Sequence, residues 1–223
     1  MRIVKGKKVV DEDIDLRALV SGYKSVVVDI GTGDGRFVYK MARQQPETFF
    51  IGVDSAADNM AEYSSKAVKK PGKGGLSNAI YVVASAENLP SRMEGIAGKI
   101  FVILPWGSLL EGIVKGERVL LSSIRSIAAP EASLELFFTY SHLIEVGEMN
   151  RRELPELSLE YIENNLASLY MDCGIRILDK EIISNERLRE YETQWAKRLG
   201  FGRNRTVYHV TGVITSPQLL RNE

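Results

Sequence analysis

The fold is decided by residues 26–36, whose sequence is VVVDIGTGDGR. The β-branched run predicts a buried strand, and Asp29 stands next to its end. Gly31, Gly33 and Gly35 follow on alternate positions, and glycine permits tight backbone turns and the close approach of a ligand. The stretch therefore predicts a strand, a ligand-binding loop and the first turn of a helix.

The spacing of the glycines narrows the choice of ligand. A dinucleotide fingerprint needs a third glycine where Arg36 stands, and no phosphate-binding lysine follows as in a P-loop. The remaining pattern, D-x-G-x-G-x-G, resembles the first motif of Rossmann-like methyltransferases that depend on S-adenosylmethionine (SAM). Taken alone, such a turn is equally compatible with another nucleotide cofactor or with a simple tight turn.

The next two predicted strands strengthen the SAM interpretation. Asp54 ends the strand FFIGVD and lies about 20 residues beyond the glycine loop, where a ribose-binding acid is expected. The third strand is followed by Ala86 and Glu87, which are placed to line an adenine ring. SAM carries an ammonium and a sulfonium rather than phosphates, so an acid such as Asp29 suits it.

Length and composition predict a single domain over residues 1–223, and the resemblance of the glycine loop makes it a methyltransferase domain. The chain is 44% hydrophobic, and its 29 basic and 29 acidic residues cancel, so a polyanionic partner must be held by local patches. Cys173 is the single cysteine, and the start of the chain lacks an apolar signal core, so a cytoplasmic location is expected. His142 and His209 are too far apart in sequence to suggest a metal site.

Apolar runs and helical periodicity alternate along the chain. They predict strands near 25–30, 49–54, 79–84, 99–104, 132–139, 174–180 and 206–214. They predict helices near 35–45, 56–70, 108–114, 117–128, 156–172 and 185–199. The expected fold class is α/β: a Rossmann-like, seven-stranded, mostly parallel sheet with helices on both faces, preceded by a β-hairpin at 1–10. The connections 140–156 and 181–205 are longer than this fold requires, which favours a functional role.

The loop after the fourth of these strands is expected to carry the chemistry. It holds Leu104, Pro105 and Trp106 where methyltransferases of amino groups have Asp/Asn-Pro-Pro-aromatic. Because the polar residue is missing, the target is predicted to be a ring nitrogen with a free lone pair, which needs no general base. Positioning would then supply most of the catalysis, about 7–11 kcal/mol in favourable cases. A backbone carbonyl of Leu104 or Pro105 could hold an adjacent amino group, while Trp106 is equally compatible with a base-stacking role and with a partly buried core position.

A second tryptophan, Trp195, begins a stretch of eleven residues, 195–205, with four positive charges and no negative charge. Two tryptophans on different loops could sandwich an extruded base. A second basic cluster comprises Lys66, Lys69, Lys70 and Lys73. A basic run is often only a solvated helix face, but two such clusters near the ligand loops suggest contact with a phosphate backbone.

Four segments of the sequence resemble one specific family. The segments are 29–36 (DIGTGDGR), 69–78 (KKPGKGGLSN), 104–110 (LPWGSLL) and 195–199 (WAKRL). They resemble the aminoglycoside-resistance 16S rRNA methyltransferases of the kanamycin–apramycin type, which methylate N1 of adenine 1408 in the decoding site of the 30S subunit. The similarity extends from the N-terminal hairpin to the last strand.

The resemblance implies a role for each matching residue. The SAM pocket would be lined by Asp29, Gly31, Gly33, Asp54, Ala86, Glu87, Leu104 and Thr193. The flipped adenine would be held by Trp106 and Trp195, with Pro105 beside it. Phosphates of 16S rRNA would be held by Lys66, Lys69, Lys70, Lys197, Arg198, Arg203 and Arg205. Connections 140–156 and 181–205 are expected to contact RNA because of their length, although no motif in 140–156 aligns with the family. A monomer with neither metal nor membrane association is expected.

Two alternatives remain open from the residues themselves. One is a Rossmann-like methyltransferase acting on another RNA or on a small heteroaromatic substrate. The two basic clusters argue against a small substrate, because it would offer them few phosphates to bind. The other is a SAM-binding regulatory or RNA-binding module without activity. The joint presence of Trp106, Trp195 and the glycine loop disfavours the second alternative.

Overall fold

The computed structural model of the 223-residue chain describes residues 1–140, 145–188, 191 and 205–215. Its strands are β1 (Arg2–Lys5), β2 (Lys8–Asp11), β3 (Ser25–Ile30), β4 (Thr48–Asp54), β5 (Ala79–Val83), β6 (Ala97–Ile103), β7 (Ala128–Phe138), β8 (Ile175–Ile183) and β9 (Val207–Ile214). Its helices are α1 (Leu16–Val20), α2 (Arg36–Gln44), α3 (Ala57–Ala67), α4 (Gly107–Lys115), α5 (Arg118–Ile127), α6 (Val146–Arg152), α7 (Leu159–Tyr161), α8 (Ala167–Asp172) and α9 (Asn185–Leu188). A π-helical turn, Ile162–Leu166, joins α7 to α8.

The strands form one sheet in the order β2-β1-β5-β4-β3-β6-β7-β9-β8. The central strands β5, β4, β3, β6 and β7 are parallel, whereas β1 and β9 run antiparallel to their neighbours. The chain proceeds outward from β3 through β4 to β5 and then returns to β6 on the other side of β3. Such a reversal opens a crevice at the carboxyl ends of the strands, which is the usual ligand site of an open α/β sheet.

Burial on both faces explains the sequence of β3. All of its residues after Ser25 are buried, and their side chains alternate between the two faces. Val28 and Ile30 pack in the core shared with α4 and α5, while Val27 packs in the core shared with α2 and α3. A strand covered on both sides is almost continuously apolar, so the acid at Asp29 stands out.

The α/β class with a mostly parallel sheet is confirmed, but the predicted strand count was wrong. Within the described residues the sheet has nine strands, because the N-terminal hairpin joins its edge, where Ile3 of β1 pairs with Val82 of β5. This pairing links distant parts of the chain, so no local pattern signals it. Helix α1, a short helix capped by the side chain of Asp15, was not predicted either.

Connection 140–156 contains a helix that was not predicted, and connection 181–205 begins within a strand. Of the helix predicted near 185–199, α9 is observed, and most of the rest lies outside the described residues. Connection 140–156 includes α6, whose Glu148 forms ion pairs with Arg151 and Arg152 one turn later. Residues 181–183 of the other connection complete β8, because β8 pairs with β9 as far as Ile183 and Val207. No helix within the described ranges is long and apolar enough to cross a bilayer.

Candidate cofactor and substrate site

A cavity of about 390 Å³ lies at the carboxyl ends of the four strands β3 to β6, at the predicted crevice. This volume is within the range of small-molecule sites. The predicted site residues found in its wall are Asp29, Gly31, Gly33, Asp54, Ala86, Glu87, Leu104, Pro105 and Trp106. The structure therefore brings together residues that are separated by up to 77 positions in the chain.

The glycine loop adopts a backbone that side chains would strain. Gly31, Gly33 and Gly35 have φ angles of 75°, 60° and 76°. A Cβ atom at Gly35 would lie 2.4 Å from Cε1 of Tyr81, so only glycine fits beside this buried ring. Gly33 has open space instead, and its N–H donates a hydrogen bond to Oδ2 of Asp54 over 2.9 Å.

Asp54 joins the ends of two strands at the cavity wall. Its Oδ2 accepts from Gly33, and its Oδ1 accepts from the N–H of Ala56 over 2.8 Å. Each carboxylate oxygen has a second lone-pair site, so both can still accept a hydrogen bond from a ligand hydroxyl. Asp54 therefore can position the glycine loop and contact a ligand at the same time.

Asp29 is a buried carboxyl group with one oxygen left without a partner. Only 2% of the residue is exposed, and its Oδ2 accepts from Oγ1 of Thr32 over 2.6 Å. Its Oδ1 has no hydrogen-bond partner within the described part of the chain. Burial raises the pKa of Asp29 to about 7; the bond from Thr32 opposes the rise, and the charges of Asp54 and Asp34 add to it.

The cavity is acidic. Its described wall contains the carboxyl groups of Asp29, Asp34, Asp54 and Glu87 and neither lysine nor arginine. A phosphate-bearing cofactor would be repelled by this wall, whereas a ligand with an ammonium and a sulfonium would be attracted. The unpartnered oxygen of Asp29 gives the ammonium a place to bind, so the residues present fit SAM.

The loop after β6 turns sharply at the cavity wall. Leu104 is 4% exposed and has a φ angle of 52°, in the left-handed region that a branched side chain rarely adopts. Its N–H donates to the carbonyl oxygen of Phe137 over 2.7 Å, which helps to hold the strained turn. Trp106 follows at the rim with 38% of its surface exposed, and this exposure favours the stacking role over a core position.

Part of the predicted site lies outside the described residues, namely Thr193, Trp195, Lys197, Arg198 and Arg203. Tyr191, which is described, lies over β6 and β7 on the same face as α2. Its ring centroid is 4.4 Å from that of Phe137, and its hydroxyl donates to Oε2 of Glu135 over 3.4 Å.

The described basic residues differ in their surroundings. Lys69 and Lys70 are exposed. Lys66 forms a 2.6 Å ion pair with Glu62, and its Nζ lies 4.1 Å from the centroid of the Tyr63 ring. Arg205, 17% exposed, forms a 2.6 Å ion pair with Glu145. Both paired cations would have to exchange or share a partner in order to hold a phosphate.

Sequence reasoning missed several polar residues in the cavity wall, including Thr32, Asp34, Asn59, Ser85 and Ser108. Asp34 could have been found, since it lies within the glycine loop itself. Burial raises its pKa, opposed by a bond from the N–H of Arg36. Asn59 lies in α3 just beyond Asp54 and belongs to no motif, so only the fold brings it to the wall.

Comparison with known proteins identifies the family. Residues 2–214 match the model of the NpmA family, described as 16S rRNA (adenine(1408)-N(1))-methyltransferase. The chain belongs to this family. The predicted enzyme class, a SAM-dependent 16S rRNA methyltransferase, is thereby confirmed.

Individual members of the family are similar over almost their whole length. The 16S rRNA (adenine(1408)-N(1))-methyltransferase of Escherichia coli is 41% identical over 96% of this chain and 99% of its own. The enzyme of the same name from Streptoalloteichus hindustanus is 37% identical over 96% and 99%.

Solved structures agree with this assignment. The methyltransferase KamB is 35% identical, with a TM-score of 0.87 over 96% of this chain and 100% of its own. A tryptophan-to-alanine mutant of the family enzyme from Catenulisporales acidiphilia, crystallised with the cosubstrate SAM, is 34% identical, with a TM-score of 0.88 over 98% of each chain.

Proposed function

We propose that this protein transfers a methyl group from SAM to N1 of adenine 1408 in 16S rRNA of the assembled 30S subunit, acting as a cytoplasmic monomer without a metal ion. The methylation would confer aminoglycoside resistance. The observation that carries the proposal is the acidic cavity, whose rim presents a half-exposed tryptophan in a loop with no acid–base side chain.

The cavity residues bind and orient the cosubstrate. Asp29 pairs through its free Oδ1 with the ammonium of the methionine end, and the open face of Gly33 allows close contact. Asp54 accepts from the ribose hydroxyls, while Ala86 and Glu87 line the adenine. Leu104 closes the wall near the methyl group, and Thr193 contributes from the segment that carries Trp195. Bound SAM supplies an electrophilic methyl group on a sulfonium.

The target base needs orientation rather than deprotonation. N1 of neutral adenine carries a lone pair in the ring plane, which forms the new C–N bond as the S–C bond breaks. The positive charge passes from the sulfonium to the adenine ring, and no proton has to leave. Trp106 and Trp195 stack on the extruded base, and the backbone next to Pro105 holds its amino group.

Local positive charge holds the RNA. Lys69 and Lys70 are exposed and available to phosphates, while Lys66 and Arg205 engage them by releasing or sharing Glu62 and Glu145. Lys197, Arg198 and Arg203 are assigned to the same role from the sequence. Because these charges are dispersed over a neutral protein, they recognise the shape of the assembled subunit rather than a short sequence.

The test is a labelling experiment with three substrates. The protein is incubated with methyl-labelled SAM and, separately, with 30S subunits, free 16S rRNA and small heterocycles. Label in the 16S rRNA of 30S subunits is the expected result. If only another RNA or a heterocycle became labelled, that molecule would be the substrate in place of 16S rRNA. Binding of SAM without any methyl transfer would indicate a SAM-binding module without activity.

The acidity of Asp29 predicts a pH dependence of cosubstrate binding. With a pKa of about 7, its ionised fraction rises from about 3% at pH 5.5 to about half at pH 7. An α-ammonium stays protonated over this range, and it binds the ionised carboxyl more strongly. Calorimetry should therefore show an affinity for SAM that is higher at pH 7 than at pH 5.5, by up to about 15-fold if only the ionised form binds.

Two matched variants distinguish the effect of Asp29 on the pH profile from that of a neighbouring acid. Asp29→Asn should bind SAM weakly and with a flat pH profile, because the titrating group is gone. Asp34→Asn should keep a rising profile that is displaced to lower pH, because the charge of Asp34 contributes to the raised pKa of Asp29. A flat profile in the wild-type protein would contradict the role given to Asp29.

A further inference from the structure

The turn of the N-terminal hairpin carries positive charge that the site described above does not use. Lys7 and Lys8 lie at this turn and are exposed. Neither forms an ion pair with an acidic residue in the described ranges, whereas Lys5 pairs with Glu12 over 2.8 Å. The tip of the hairpin therefore presents two uncompensated charges to solvent.

Buried hydrogen bonds fix this turn against α3. The N–H of Gly6 donates to Oγ of Ser64 over 3.0 Å, and the Ser64 hydroxyl donates to the carbonyl oxygen of Val4 over 2.7 Å. Ser64 is only 1% exposed. Gly6 also lies close to Val68, the residue that follows α3, since a Cβ atom added at Gly6 would be 3.9 Å from Cγ2 of Val68.

This proximity places the hairpin turn beside the second basic cluster. Lys7 follows Gly6 in sequence and Lys69 follows Val68, and consecutive Cα atoms are about 3.8 Å apart. Lys69, Lys70 and Lys73 are exposed and likewise have no acidic partner within the described ranges. We call the five residues Lys7, Lys8, Lys69, Lys70 and Lys73 the hairpin–lysine surface.

The segment that carries Lys69, Lys70 and Lys73 is followed by residues 74–78, which hydrogen bonds hold in place as well. The hydroxyl of Tyr39 donates to the carbonyl oxygen of Gly74 over 2.8 Å. The side-chain amide nitrogen of Asn78 lies 2.9 to 3.1 Å from three carbonyl oxygens, those of Ala42, Gln45 and Thr48, which share its two N–H groups. The surface is thus preorganised, and a partner that binds it does not have to order the backbone first.

The chemistry of the surface points to a polyanion. Neither residues 5–10 nor residues 66–78 contain an acid, although the whole chain is neutral. We propose that the hairpin turn is an RNA-docking element in which Lys7 and Lys8 contact backbone phosphates of 16S rRNA beside those held by Lys69 and Lys70. The inference rests on the proposed function, because that function supplies the RNA.

The test is the salt dependence of binding to 30S subunits by the Lys7→Gln/Lys8→Gln variant. Each lost phosphate contact lowers the slope of log affinity against log salt by about 0.7 to 0.9. The variant should bind several-fold more weakly at low salt, with a slope smaller by about 1 to 2. Its affinity for SAM and its melting temperature should match those of the wild-type protein, because both lysines are exposed and neither lines the cavity.

The control is Arg118→Gln/Arg176→Gln, which removes two exposed cations from α5 and from the edge strand β8. It should leave both the affinity and the slope unchanged. An unchanged slope in the hairpin variant, with wild-type methylation of 30S subunits intact, would overturn the docking role and leave the proposed function standing. A reduced slope with no methylation by the wild-type protein would overturn the proposed function instead.

Discussion

Replacing Trp106 with alanine is expected to reduce the rate of 30S methylation about 5- to 150-fold, because a base-stacking contact contributes about 1–3 kcal/mol. The affinity for SAM should change little, since the half-exposed ring is assigned to the base rather than to the cosubstrate. Trp195→Ala should act in the same direction. Methyl transfer under single-turnover conditions and calorimetry with SAM measure the two quantities separately.

Phenylalanine variants provide the control for this prediction. Trp106→Phe keeps an aromatic face and should retain more activity than Trp106→Ala, whereas a core position would respond mainly to lost volume and would lower the melting temperature. Wild-type rates in both alanine variants would show that the tryptophans do not hold the base. A parallel loss of SAM affinity in Trp106→Ala would instead move this ring to the cosubstrate pocket.

Expression in a susceptible bacterium is expected to give resistance to kanamycin and apramycin. Methylation at N1 blocks the Watson–Crick edge of the adenine and leaves its ring positively charged. A cationic aminoglycoside that pairs with this edge would lose a hydrogen bond and meet like-charge repulsion. Each effect costs about 1–3 kcal/mol in a desolvated site, so drug affinity should fall about 30-fold or more.

The resistance has to depend on catalysis. Cells that produce the Asp29→Ala protein at the same level should remain susceptible, because the ammonium of SAM loses its carboxylate. Resistance in these cells would point to drug sequestration or to simple occupation of the ribosome. Susceptibility in cells with soluble wild-type protein would contradict the proposed function.

Local sequence patterns predicted much of this molecule because the relevant signals are short. The run that ends at Asp29, the glycine loop and the acid at Asp54 each follow from a few neighbouring residues. In a parallel sheet the carboxyl ends of the strands lie at the same edge, so these residues come together there and line the cavity. Leu104 and Trp106 were found in the same way, from the position of a loop after a strand.

Features that depend on distant parts of the chain were not predictable. The hairpin joins the sheet through Ile3 and Val82, which are 79 positions apart. The ion pair between Arg205 and Glu145 and the unpartnered oxygen of Asp29 emerge only when the chain is folded. These long-range contacts decide which charges are available to a ligand. The sequence alone therefore identified the basic residues but could not show which of them are already paired with an acid in the folded protein.

The most direct test of the account is primer extension on 16S rRNA from 30S subunits treated with the protein and SAM. A methyl group at N1 prevents adenine from templating, so reverse transcriptase should stop next to adenine 1408, and only when both SAM and active protein are present. A stop at another nucleotide would show that the protein is a methyltransferase whose target is not adenine 1408. Full-length extension from subunits incubated with soluble, SAM-binding protein would contradict the account.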